Sequence, residues 1–141
     1  LPLVGVTTLD TLAAGQPYYQ GGLIVVLQAG RGRVIVARYQ WRKGRWGSRG
    51  EPQLMDWPSL FASIDGPASL TGELNDDGYD ALNDAQAKNV PVSLVPSAYR
   101  LRRAGFLAEE ALTRLSASDR TSFDAAKLVP LYIKTQDSPE A

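Results

Sequence analysis

Leu23-Ile24-Val25-Val26-Leu27, then Gly30-Arg31-Gly32, then Val34-Ile35-Val36-Ala37-Arg38-Tyr39-Gln40-Trp41 is the stretch that decides the fold. The first run is wholly aliphatic, without polar alternation, as expected of a strand buried on both faces. The second alternates, with Val34, Val36 and Arg38 on one face and Ile35, Ala37, Tyr39 and Trp41 on the other. Gly30-Arg31-Gly32 is a hairpin turn between them. It is no phosphate loop, because the G-x-x-x-x-G-K-[ST] spacing is missing and no helix follows. Arg42-Lys43-Gly44-Arg45 forms a second tight turn that returns Trp46 opposite Trp41, and such cross-strand aromatic pairs contribute up to about 1 kcal/mol. A third, Gly-rich edge strand is expected to run to about Leu54, completing a three-stranded antiparallel meander.

Before the meander, Thr7-Thr8-Leu9-Asp10 starts a short helix with Thr7 as cap and Asp10 in the first turn. It ends near Gly15. After the meander, helices and strands alternate. A short helix starting at Asp56 or Ser59 runs over Trp57, Leu60 and Phe61, of which Trp57 and Phe61 are expected core residues. Ala68 to Thr71 is a strand ending at Gly72, and Asp76 to Ala87 is a helix. Val90 to Val95 is a strand that Pro91 confines to an edge or end position. Ser97 to Leu115 is expected as one long helix whose stripe of Leu101, Ala104, Gly105, Ala108, Ala111, Leu112 and Leu115 packs on the core. Leu128 to Lys134 is a closing extended segment, and residues 135–141 form a disordered polar tail. The sum is an α/β fold, and its strand and helix order points to the ribonuclease-H-like lobe of the actin-like ATPase superfamily.

Composition narrows the chemistry. The chain has 141 residues, the size of one domain, with 44% apolar and 21% charged residues, as in ordinary globular proteins. It contains no Cys and no His, so disulfides, thiolate metal sites, Ser-His-Asp triads and H-E-x-x-H zinc motifs are all excluded. No apolar run approaches the roughly 18 residues of a membrane-spanning helix. Fifteen basic and fifteen acidic residues cancel. Their distribution is uneven, however, because Arg31, Arg33, Arg38, Arg42, Lys43, Arg45 and Arg49 occupy residues 31–50 without an acid.

Several stretches, in order, resemble the TsaB (YeaZ) family of tRNA threonylcarbamoyladenosine biosynthesis proteins. Gly5-Val6-Thr7-Thr8-Leu9-Asp10-Thr11-Leu12-Ala13 is similar to the family's G-V-S-T-L-E-A-L-A helix start. Val25 to Val34 is similar to its strand and turn, Thr71-Gly72-Glu73-Leu74 to its G-D-G turn, Val95 to Leu115 to its late Ala-rich helix, and Val129 to Lys134 to its terminal P-x-Y-L-R. Gln28, Arg33 and Leu74 depart from the pattern. The resemblance implies a C-terminal lobe over residues 1–134 whose N-terminal lobe is absent, and Leu1-Pro2 with Met55 as the sole Met fits a piece of a longer polypeptide. It implies a cytoplasmic, non-catalytic scaffold with no cofactor, whose partner is the catalytic subunit TsaD acting on adenosine 37 of tRNA. Self-association of the isolated lobe is a further expectation. The older glycoprotease or peptidase M22 label has no His or Cys here to carry it.

Two sets of residues compete for a direct binding role. Arg42, Lys43, Arg45 and Trp46, within a basic aromatic hairpin spanning 38–49, are candidates for RNA or partner contact, because cations beside stackable rings bind unpaired bases. The plainer alternative is a solvated hairpin stabilised by its Trp pair. A free-standing RNA-binding module and a degenerate actin-like nucleotide-binding domain are the alternative functions. Glu73, Asp76, Asp77 and Asp80 could attract a divalent cation, but acids at a helix start are favoured by the helix dipole alone, and no metal site is assigned.

Overall fold

The computed structural model describes residues 3, 5–101, 103–117 and 129–130. Helix α1 (Thr8–Ala14) leads into strands β1 (Gly22–Gly30), β2 (Arg33–Arg42), β3 (Arg45–Ser48) and β4 (Gln53–Asp56). Helix α2 (Trp57–Ala62), strand β5 (Ala68–Gly72), helix α3 (Asp76–Ala87) and strand β6 (Val92–Leu94) follow. A 3-10 turn at Ser97–Arg100 precedes helix α4 (Ala104–Ala117). The sheet runs β3-β2-β1-β5-β6, with β4 also paired to β2. The β1–β2 and β2–β3 pairs are antiparallel, whereas β1–β5 and β5–β6 are parallel.

The central strand behaves as its composition demands. Leu23, Ile24, Val25 and Val26 are all buried. Ile24 and Val26 join Val34, Val36, Trp57, Leu60, Phe61, Leu70 and Leu82 on one face, under α2 and α3. Leu23 and Val25 join Ala37, Tyr39 and Trp46 on the other, under Leu9, Leu12 and Ala13 of α1. Burying each such aliphatic side chain stabilises by about 1.5–3 kcal/mol.

The helix starts are capped by short polar side chains. Thr7 Oγ1 accepts from the Asp10 amide at 3.1 Å, Asp56 Oδ1 from Ser59 at 2.8 Å and Asn75 Oδ1 from Gly78 at 2.9 Å. Gly15 ends α1 with φ −79°, which any residue adopts. It is small for another reason: a Cβ there would lie 2.9 Å from the Phe106 ring of α4. Gly78 likewise lets α3 approach the Trp57 indole.

Three expectations are corrected. The third meander strand is two strands, β3 beside Tyr39–Arg42 and β4 beside Arg33–Val36. Pro52 lacks an amide for the ladder and Gly50 takes φ 84°, so the chain bulges out opposite Arg38. The helix expected over 97–115 is also broken. Leu101 is extended, with ψ 139°, because the 3-10 turn is tied to the sheet side while α4 crosses back to α1. The stripe of small residues and leucines is not a core face, since no residue of α4 is buried and Leu112 is 59% exposed. The part-buried side of α4 carries Phe106, Glu110, Ala111, Arg114 and Leu115. The closing segment and tail lie outside the described residues, apart from Val129 and Pro130, which are exposed and in no strand.

Gly72 fixes the carboxyl end of the parallel pair. Its φ is 113°, and a Cβ would overlap the Val26 carbonyl oxygen on β1. Gly72→Ala is expected to cost more than about 3 kcal/mol, from combined strain and clash. Gly30→Ala, which faces open space at φ 78°, should cost only about 1 kcal/mol. Urea unfolding of the two variants checks the contrast.

Candidate functional site

The two turns of the meander are built by left-handed residues. Lys43 and Gly44, at φ 52° and 81°, make the two-residue turn whose twist matches that of the strands. Trp41 and Trp46 are therefore opposite one another, with ring centroids 5.3 Å apart at 75°, edge to face. Tyr19 adds a tilted ring to Trp46, and Tyr18 an edge contact to Trp41.

This geometry divides the candidate residues of the hairpin. Arg42 and Lys43 are exposed at its tip. Trp46 is 7% exposed and its indole Nε1 donates to the Pro17 carbonyl at 3.0 Å, so the ring is part of the fold and presents no open face for a base. Arg45 turns away from the tip and donates through Nη2 to both carboxylate oxygens of Glu110, at 2.9 and 2.7 Å. The half-exposed rings beside the tip are instead Trp41 and Tyr18.

Arg45 is the first member of a chain of charges. Glu110 also accepts from Arg114 Nε at 3.2 Å, four residues along α4. Arg114 Nη2 donates to Asp10 Oδ2 at 2.7 Å, and Tyr39 Oη donates to Asp10 Oδ1 at 2.7 Å. The chain Arg45–Glu110–Arg114–Asp10–Tyr39 thus ties β3, α4, α1 and β2 together. It lines a groove of about 410 Å³ whose other walls include Trp41, Trp46 and Phe106. Burial of Tyr39, and then the hydrogen bond and charge of Asp10, push its phenol far above the ordinary value of 10.0. Partial burial works against the charge of Arg114, but Asp10 and Glu110 outweigh it and hold its pKa raised. Asp10 and Glu110 are each engaged by a guanidinium, so these charges serve to fasten α4.

The acidic residues at the start of α3 do not converge, and no His, Cys, Asp or Glu cluster among the described residues could hold a metal ion. Glu73 points back to β1, where its Oε2 accepts from the Gln28 amide at 2.9 Å. Gln28 in turn donates to the Glu73 carbonyl at 3.3 Å. No helix among the described residues is long and apolar enough to cross a membrane.

The Glu110–Arg114 spacing was visible in the sequence as an i, i+4 pair. Their partners Arg45 and Asp10, 65 and 104 residues away, were not.

No family model matches the sequence, and no curated protein matches it. The structure is similar to the crystal structure of an uncharacterized protein with similarity to peptidase YEAZ from Pseudomonas aeruginosa. The TM-score is 0.59 at 17% identity, over 94% of this chain and 59% of that one. The chain therefore has a YeaZ-like fold and spans less than two thirds of that protein's length.

Two predictions follow from the charge chain. Glu110→Ala leaves Arg45 and Arg114 without their shared carboxylate, and its cost should be about 1 kcal/mol because the pairs are partly exposed. Hydrogen exchange should show faster amides in α4 with unchanged protection in β1 and β2, and 1 M salt should produce part of the same effect. The second concerns alkali. The folded Tyr39 holds its proton where the unfolded chain has lost it, so stability is complete below about pH 10 and declines as pH rises further. Tyr39→Phe should lose the Asp10 hydrogen bond at neutral pH, and its melting temperature should fall less steeply than wild type between pH 10 and 12.

Proposed function

We propose that this chain is a scaffold lobe of a TsaB-type protein, of ribonuclease-H-like architecture. In this reading it supports the TsaD-catalysed threonylcarbamoylation of adenosine 37 in tRNA without contributing a catalytic group. The observation that carries the reading is the likeness over 94% of this chain to a protein itself similar to YeaZ. The sheet supports it as well: an antiparallel start over β1 to β4 followed by two strands added in parallel, with α2 before β5 and α3 before β6.

The distribution of apolar surface fits a lobe that works against another body. Tyr99, Leu101, Leu107 and Leu112 are exposed large apolar residues on the 3-10 turn, just after it and on α4. On the sheet, exposed apolar groups of that size are absent among the described residues. Surfaces of this kind commonly mark interfaces. A second lobe of the same polypeptide, TsaD or a second copy of the chain are the occupants this reading allows.

The test is co-expression of the protein, with any sequence preceding residue 1 in its reading frame, alongside the TsaD of its organism. A complex on size exclusion, together with restored threonylcarbamoyladenosine in a strain lacking its own TsaB, is the expected outcome. Leu107→Glu with Leu112→Glu should abolish the complex while leaving the circular dichroism spectrum unchanged. Absence of both complex and modification, from a folded protein, would overturn the proposal.

A further inference from the structure

A second cleft, of about 200 Å³, lies at the entry ends of β1 and β5, remote from the hairpin tip. Arg38, Arg49, Ser63, Asp65, Gly66 and Gly22 are among its lining residues. The bulge between β3 and β4 creates it. Where the edge strand breaks, the Arg49 amide donates to the Arg38 carbonyl at 2.7 Å, so the two arginines are backbone neighbours. Bulges re-aim side chains in this way.

Among the described residues, the groups that hold the Arg38 guanidinium are neutral. Nη1 donates to Gln53 Oε1 at 3.2 Å and Nη2 to Ser63 Oγ at 2.7 Å. Ser63 Oγ in turn donates to the Leu60 carbonyl at 2.6 Å, which fixes its lone pairs toward Arg38. An arginine has five N–H donors, so several remain for a ligand. Among the described residues, no carboxylate lies in ion-pair contact with Arg38 or Arg49. This differs from Arg45 and Arg114, whose charges are both matched. The C-terminus of α2, which has no basic residue in its last turn, accounts for a cation at position 38. It does not account for a second one at position 49.

We propose that this cleft binds a small phosphate-type anion between the Arg38 and Arg49 guanidiniums. Planar guanidiniums suit tetrahedral oxyanions, and Arg38 is already oriented, so little side-chain entropy is lost on binding. Asp65 is the opposing charge in the cleft and limits the affinity. The site is independent of the scaffold reading, because no residue of the 3-10 turn or α4 lines it.

Inorganic phosphate is the probe, titrated at constant ionic strength against the chain and followed by amide chemical shifts. Saturable shifts confined to residues 22, 38, 49 and 63–68 are expected. At ten times the dissociation constant the melting temperature should rise by about 4 °C. Arg49→Ala should weaken binding about tenfold or more, and Asp65→Asn should tighten it several-fold. Arg42→Ala and Lys43→Ala, outside the cleft, should leave it unchanged. Absence of saturation up to 50 mM phosphate would overturn the proposal. So would equal weakening by Arg42→Ala, which would reduce the effect to a diffuse basic surface.

Discussion

Because β1 pairs antiparallel with β2 on one side and parallel with β5 on the other, it has no edge, and both its faces are covered. Every other element is placed by this double pairing. Its antiparallel side can be reached through a short turn, and Gly30, Arg31 and Gly32, all with positive φ, supply it. Its parallel side requires a crossover, and the chain spends β3, β4 and α2 on that journey before returning as β5. The return is possible only at close backbone approach, which is why Gly21 abuts Pro67 at one end and Gly72 abuts Val26 at the other.

Much of this was legible in the sequence, and the reason differs from element to element. Leu23 to Val26 offered no polar alternation, so burial on both faces was the only economical placement. The alternation of Val34 to Trp41 assigned each side chain to its face, and the two core clusters follow that assignment. The helix starts at Thr7 and Asp56 rest on local, i to i+3 contacts, which is the range at which sequence speaks most directly. The break between β3 and β4 was harder to foresee. Gly50 and Pro52 were visible, but whether they end a strand or merely bend it depends on pairing with β2 over a long register. The division of 97–117 into a 3-10 turn and α4 is harder still. Both halves have helical composition, and the break is imposed by what each half docks against.

The candidate site shows the same limit more sharply. A basic residue in the sequence has no sign of its partner. Arg42 and Arg45 close the same hairpin as a cross-strand pair, yet one is exposed at the tip and the other is spent on Glu110. Trp46 looked like a stacking surface because aromatic and basic residues alternate there. The fold instead uses it as the wall between the hairpin and α1, with its only polar atom satisfied by Pro17. α4 is the converse case: its hydrophobic spacing implied a core helix, but what holds it is Phe106 on Gly15 and a chain of charges.

Net neutrality conceals a difference between cations that are matched and cations that are not. At physiological salt a charge acts over roughly one Debye length, about 8 Å, so the acids of the second half cannot cancel the arginines of the first unless the fold brings them together. It does so for Arg45 through Glu110 and, among the described residues, gives Arg38 and Arg49 no carboxylate in ion-pair contact. One use for such cations is protective, since charge, Pro52 and the break between β3 and β4 all discourage another strand from pairing with this edge. Edge protection, however, asks only that charge be present and exposed. It does not ask that Arg38 be anchored through Gln53 and Ser63, nor that a second arginine be brought beside it by a bulge. Those details constrain position rather than charge, and position matters where something is to be held.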